Sequence, residues 1–221
     1  MATVAARPTA ANLAWAVARA LGAAAKLDDE VGPDAWVEAI RSEALSIWEE
    51  DRAASRAMAR WGAEFFPTES RFLTHCHTGG LATGGGGTAL GVLLGIHRAG
   101  RPIRVWATET RPLLQGARLT VWELMNEGVP VRLLADAAAA HVIARARIEA
   151  VVVGADRIAR NGDVANKVGT LPLALAARDR GIPFVVVAPT STLDLGCSSG
   201  DEFPIEEREP GEVLGYQGIP T

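Results

Sequence analysis

The 221-residue sequence holds one tyrosine, three methionines and two cysteines. With only Cys76 and Cys197, and no framework spacing between them, a disulfide scaffold is excluded and a reduced compartment is expected. No apolar run approaches the ~18 residues needed to cross a bilayer, so no membrane partner is expected. Basic clusters are missing and the net charge is −4, which removes the usual footprint of nucleic-acid binding. The Ala-rich residues 1–26 contain no acid, but Asn12 and Arg19 interrupt the apolar stretch that a signal peptide requires. A cytoplasmic protein is the expectation. Internal repeats and low-complexity segments are absent.

What is present is the composition of a soluble globular chain, with 48% hydrophobic and 22% charged residues. The first 66 residues read as helical. Residues 8–26 suit one helix with Pro8 in its first turn and Leu13, Val17, Ala20 and Leu21 along one face. A second runs from Asp34, read as its N-cap, to Phe65, with Trp36, Ile40, Ala44, Ile47 and Trp48 as its apolar stripe. Five of the six tryptophans, Trp15, Trp36, Trp48, Trp61 and Trp122, fall in such patterns and read as packing residues.

Residues 67–221 change character. Apolar runs at Arg71–Cys76, Ile103–Thr108, Val129–Ala135, Ala150–Gly154 and Pro183–Ala188 read as strands. Helix-compatible segments at 86–99, 112–126, 137–147 and 166–180 fill the gaps. Such alternation predicts an α/β domain with a doubly wound, Rossmann-like parallel sheet behind an N-terminal helical hairpin. Gly100, Gly128 and Gly181 stand where left-handed helix caps belong. A polar loop with Asn161-Gly162 is expected between the fourth strand and its helix.

In a parallel sheet the chemistry collects at the carboxyl ends of the strands. Here those ends carry His75-Cys76-His77, then Glu109-Thr110-Arg111 with Gln115, then Asp136, then Asp156 with Asn166 and Lys167, then Thr190-Ser191-Thr192. Cys76 reads either as a small buried hydrophobe or as a thiolate favoured by helix dipoles and cations. The run Gly84-Gly85-Gly86-Gly87-Thr88 lets backbone N–H groups approach an anion ahead of a helix, and reads equally as a flexible surface loop. Arg7, Arg111 and Lys167 could hold a phosphate or pair with surface acids. Asp156 could cap the following loop, although its strand-end position favours function. His75 and His77 lack a second Cys/His cluster, so no metal is expected.

Several blocks make the sequence similar to the methylthioribose-1-phosphate isomerase family, in the group that includes ribose-1,5-bisphosphate isomerases and the regulatory subunits of initiation factor 2B. They are Arg7-Pro-Thr-Ala-Ala-Asn-Leu13, Leu73-Thr-His-Cys-His-Thr-Gly79, Leu81 to Gly84, Gly87 to Val92, Glu109 to Thr120, Gly154 to Thr170, Ala188 to Thr192 and Pro204 to Arg208. The resemblance implies a homodimeric, cofactor-free isomerase acting on a small phosphorylated sugar in methionine salvage. Cys76 and Asp156 would be its acid/base pair. Arg7, Gln115, Asn166 and Lys167 would bind substrate, and the loop Gly84, Gly85, Gly86, Gly87 and Thr88 would lie near its phosphate. A ribose-1,5-bisphosphate isomerase, or a non-catalytic module like the initiation-factor subunits, is the alternative implication. The family's members are usually longer, with an N-terminal segment carrying an Arg-Gly-Ala-Pro phosphate motif and a C-terminal segment after the Glu-Glu-Arg block, neither of which is in this sequence, so a fragment, a misplaced start or a divergent member is expected. His77, Thr108 and Ala137 replace the family's usual Asn, Asp and Asn.

Overall fold

Alternation along the strands decides the architecture. Phe72, Val105 and Val152 face one side and join a core with Phe66, Leu90, Leu93, Ile96 and Leu124. Their neighbours Leu73, Trp106, Val151 and Val153 face the other and join Ile143, Leu173 and Ala177. Each such side chain contributes about 1.5–3 kcal/mol by leaving water, so both faces demand cover.

In the computed structural model, which describes residues 8–28, 30–216 and 219–220, helices α1 (Ala11–Ala24) and α2 (Pro33–Phe65) come first. Then follow β1 (Arg71–Thr74), α3 (Ala89–Arg98), β2 (Arg104–Thr108), α4 (Val121–Asn126), β3 (Val131–Leu134), α5 (Ala139–Arg145) and β4 (Ala150–Val153). Short strands β5 (Arg157–Ala159) and β6 (Val164–Ala165) precede α6 (Thr170–Asp179), β7 (Phe184–Val186) and β8 (Leu193–Asp194). A one-turn helix α7 (Gly211–Leu214) and the pair β9 (Gly215–Tyr216) and β10 (Ile219–Pro220) end the described chain.

The chain divides into two compact units. The larger comprises residues 55–155, 166–188 and 207–221. Its five-stranded sheet has the order β3-β2-β1-β4-β7, every pair parallel, with Leu73 opposite both Trp106 and Val151. This is the doubly wound sheet expected from the sequence, and the order reverses between β1 and β4. Gly100, Gly128 and Gly181 take positive φ, as the cap positions require. The C-terminal part of α2 packs here: Gly62 lies against Val92, and Ala59 against Gly95.

The smaller unit comprises residues 1–54, 156–165 and 189–206. Its sheet has the order β6-β5-β8, with β5 and β6 antiparallel. The expected polar loop is therefore a hairpin, turned at Arg160–Asp163, where Asn161 Oδ1 accepts the Asp163 N–H at 3.0 Å. Its strands were too short to show a period of two.

Three local expectations need correction. Helix α2 starts at Pro33 with Asp34 in its first turn rather than capping it, in keeping with proline's fit to the first helical position. Helix α6 begins at Thr170, three residues beyond Lys167. The tryptophans are not mainly packing residues: Trp36, Trp48, Trp61 and Trp122 are exposed, whereas Trp106 on β2 is buried. The guanidiniums of Arg52 and Arg60 stack over Trp48 and Trp61, which lets amphipathic rings stay at the surface.

Candidate active site

Strand β1 ends at Thr74, and the chain turns there through a left-handed residue. Cys76 has φ 66, a region that non-glycine residues enter rarely. Thr110, just past β2, has φ 65 and is fully buried. For a β-branched residue such a backbone costs on the order of 1–3 kcal/mol and persists only where its surroundings impose it. They do so through Asp136, just past β3, whose carboxylate accepts the N–H groups of Thr110 (2.8 Å) and Arg111 (2.7 Å).

Thr110 Oγ1 in turn accepts the Cys76 N–H at 3.0 Å. The Cys76 carbonyl accepts the hydroxyl of buried Thr120 at 2.7 Å. Since that hydroxyl has one proton to give, His77 Nδ1, 3.1 Å from Thr120 Oγ1, must be the donor to it. The other ring nitrogen lies 3.2 Å from Glu123 Oε1. Glu123 also accepts the N–H groups of Gly80 and Leu81, both at 3.0 Å. Burial works to raise its pKa, but His77 and these two donors outweigh burial and hold it below the ordinary value.

His75 is buried beneath this loop. Its Nε2 lies 2.8 Å from the Val168 carbonyl, which can only accept, so Nε2 carries the proton. Nδ1 is then an acceptor for Thr108 Oγ1 at 2.6 Å. Burial lowers the pKa of this imidazole, which favours the neutral ring. Gly169, with φ 100, passes so close that a Cβ there would lie 3.0 Å from the ring. His75, Thr108, Asp136, Gly169, Pro172 and Leu173 line a cleft of about 270 Å³ at this edge of the sheet.

Gln115 precedes a π-helical turn at Gly116–Thr120. Gly116 is required there, because a Cβ would stand 1.8 Å from the Thr108 carbonyl oxygen. The Gln115 amide oxygen is shielded from solvent and has no hydrogen-bond partner among the described residues. Asn166 Nδ2 donates to Thr170 Oγ1 at 3.1 Å, and that hydroxyl donates to the Lys167 carbonyl at 2.7 Å, which ties both residues to the start of α6. The Gly-rich loop is fastened from within. Thr83 Oγ1 accepts the N–H groups of Gly85 and Gly87, Thr78 supplies its carbonyl to Thr88 N–H, and its hydroxyl accepts from Leu90.

Asp156 belongs to the smaller unit. Its N–H donates to the Ala165 carbonyl and its carbonyl accepts from Ala11, at 2.9 and 3.0 Å. Neighbouring Arg157 donates to the carbonyls of Thr9 (3.0 Å) and Pro8 (3.1 Å) and pairs with Asp194. Asn12 is held by Ser191 and Thr192. The segment that follows Arg7 is thus bound to the strand that follows Asp156; Arg7 itself lies outside the described residues. Cys76, Gln115, Asn166, Lys167 and Gly84 to Thr88 all belong to the larger unit. Sequence pattern does not mark Thr120 or Glu123 as functional. Both sit in a segment whose helical pattern looked ordinary, and only their burial sets them apart.

A five-stranded parallel sheet with helices on both faces and polar residues gathered at the strand ends defines the class as a doubly wound α/β protein. The profile of the initiation factor 2 subunit family matches residues 2–219, and the chain belongs to that family. Methylthioribose-1-phosphate isomerase of Pelotomaculum thermopropionicum is 51% identical over 97% of this chain and 59% of its own length. The crystal structure of 5-methylthioribose 1-phosphate isomerase from Pyrococcus horikoshii superposes with a TM-score of 0.86 at 45% identity, over 97% of this chain and 60% of that one. A structure described as the delta subunit of translation initiation factor eIF-2B from A. fulgidus gives 0.81 at 40% identity, over 98% and 62%. The chain therefore spans about three fifths of the length of the relatives it matches.

Proposed function

We propose that this chain carries the catalytic core of an aldose–ketose isomerase that converts 5-methylthio-ribose 1-phosphate to 5-methylthio-ribulose 1-phosphate in methionine salvage. The observation that carries the reading is the 51% identity with an isomerase of that name across 97% of the chain. The left-handed Cys76 at the end of β1 supports it, since strained residues cluster at functional sites.

The substrate's anomeric oxygen bears phosphate, so its ring cannot open to a free aldehyde. Asp156 is assigned to protonate the ring oxygen as the C1–O bond breaks. Cys76 is assigned to the transfer of hydrogen from C2 to C1, which leaves a ketone at C2 once the hydroxyl proton departs. Gln115 is assigned a binding role by the resemblance, and its shielded, unpartnered amide oxygen would accept from a sugar hydroxyl once the site opens to substrate. Asn166 with Lys167, and Arg7, are assigned to the substrate, with the loop Gly84 to Thr88 forming the wall near its phosphate. On this reading residues 67–221 are the catalytic domain behind a helical region of residues 1–66, and the protein works in the cytoplasm as a homodimer, which sedimentation equilibrium tests. Among the described residues no helix is long and apolar enough to cross a membrane.

The native protein should turn over methylthioribose 1-phosphate, and Cys76→Ser and Asp156→Asn should each lower kcat by roughly 10²–10⁴. Preference for ribose 1,5-bisphosphate would move the assignment to that substrate. Thermal stabilisation by sugar phosphates without turnover would instead favour the non-catalytic module, for which the likeness to the A. fulgidus structure speaks. Substrate deuterated at C2 distinguishes the routes: complete washout of label to solvent excludes a direct hydride shift.

A further inference from the structure

We infer that Thr110 and Thr120 are positioning residues, a pair of buried hydroxyls that clamp both peptide groups of Cys76 and so fix where its thiol points. The inference rests on the isomerase reading for its catalytic consequence, though not for its geometry. Thr110 Oγ1 takes the Cys76 N–H at 3.0 Å, and Thr120 Oγ1 gives its proton to the Cys76 carbonyl at 2.7 Å. The two hydroxyls thus determine the orientation of the peptide planes before and after the cysteine. Those planes set φ and ψ, and with them the direction of the Cα–Cβ bond that carries the sulfur.

Neither threonine is itself free to drift. Thr110 is locked by the carboxylate of Asp136 and by its own hydroxyl, 3.3 Å from the Thr108 carbonyl. Thr120 is locked by His77, which Glu123 restrains. The two hydroxyls come from different elements, the end of β2 and the π-helical turn before α4, so a left-handed Cys76 requires both to be in place. Gly116 lets that turn approach β2 closely enough for the second hydroxyl to arrive.

The test replaces each hydroxyl by a methyl of the same shape, Thr110→Val and Thr120→Val, and by the conservative Thr110→Ser and Thr120→Ser. Valine keeps the β-branch, so it alters hydrogen bonding without altering bulk. Two readouts apply to the native protein: the rate at which iodoacetamide alkylates Cys76, located by peptide mapping, and the split between kcat and KM. Losing one hydrogen bond should raise the alkylation rate about tenfold in each valine variant, with the serine variants close to wild type. Misdirecting the thiol should lower kcat about ten- to a hundredfold at nearly unchanged KM. Wild-type alkylation rates in both valine variants would overturn the clamp, as would serine variants that behave like valine. If the wild type fails to isomerise the sugar phosphate, the isomerase reading falls while the alkylation rates still decide the clamp. A variant that fails to fold is identified by its melting transition, and the other threonine's pair then carries the decision.

Discussion

The carboxylate of Asp136 sits at the end of β3 and receives the N–H of Thr110 at 2.8 Å, holding a β-branched residue in a left-handed backbone at the end of β2. The adjacent Arg111 N–H bonds the other carboxylate oxygen. Asp136→Ala leaves the N–H of buried Thr110 and that of half-buried Arg111 without their acceptor and should cost about 1–3 kcal/mol, chiefly from the buried one. Equilibrium urea unfolding measures it. A cost below that of an ordinary surface substitution would mean that the carboxylate does not impose the Thr110 conformation.

Glu123 makes stability depend on acid. Its pKa is held below the ordinary value of 4.5, so the unfolded chain binds its proton first as pH falls. Its contribution is complete above that value and is lost as pH drops from about 4.5 through the lower folded value. His75, with its pKa lowered from 6.5 by burial, adds a decline that starts below about 6.5, because the unfolded imidazole protonates before the folded one. Unfolding free energies measured from pH 7.5 down to 3.5 should fall across both windows. Glu123→Gln should reduce the fall in the lower window, where Glu149 also contributes, and leave the upper one intact.

Gln115 separates binding from stability. Replacing an unpartnered, shielded acceptor by an apolar group of similar shape is close to neutral for the fold. Gln115→Leu is expected to keep the melting temperature or raise it slightly, while KM for the sugar phosphate rises about tenfold through loss of one hydrogen bond to substrate. A large loss of stability with KM unchanged would make the side chain structural.

Gly116→Ala should be among the most damaging single-methyl changes in the larger unit. The new Cβ would stand 1.8 Å from the Thr108 carbonyl oxygen and 2.8 Å from Thr110 Oγ1, so the π-helical turn must move away from β2. Overpacking of this kind costs about 1–3 kcal/mol or more, and a chain of this size loses roughly 2–4 °C of melting temperature per kcal/mol. Calorimetry that finds no loss would show that the turn can shift freely.

Arg157 fastens the segment after Arg7 to the strand after Asp156 by two contacts, to the carbonyls of Pro8 and Thr9, while a third pairs it with Asp194 on β8. Arg157→Lys keeps the charge but loses the guanidinium fork, so it cannot serve all three. Limited proteolysis should cut faster near residues 8–12 in that variant, with cleavage elsewhere unchanged. Equal cleavage rates would assign the anchoring to Asn12 and its partners Ser191 and Thr192.

The sequence by itself determined the sheet. Runs such as Val151-Val152-Val153 are short, β-branched and apolar at every position, which suits a strand covered on both faces, and the intervening helical segments favour a parallel order. It also pointed to the strand ends, because a parallel sheet delivers Cys76, Gln115 and Asp136 to one edge whatever the details of packing. The tertiary structure alone decided how Cys76 is held. Nothing local marks Thr110 and Thr120 as partners of one cysteine, since their contacts span 34 and 44 positions of chain and depend on how β1, β2 and the π-helical turn are juxtaposed. The same holds for Glu123, which in sequence looks like a helix-surface acid and in space is a buried acceptor for Gly80 and Leu81. The hairpin of β5 and β6 was hidden for the converse reason: strands of three and two residues are too short to carry a period, and pairing rather than pattern makes them strands.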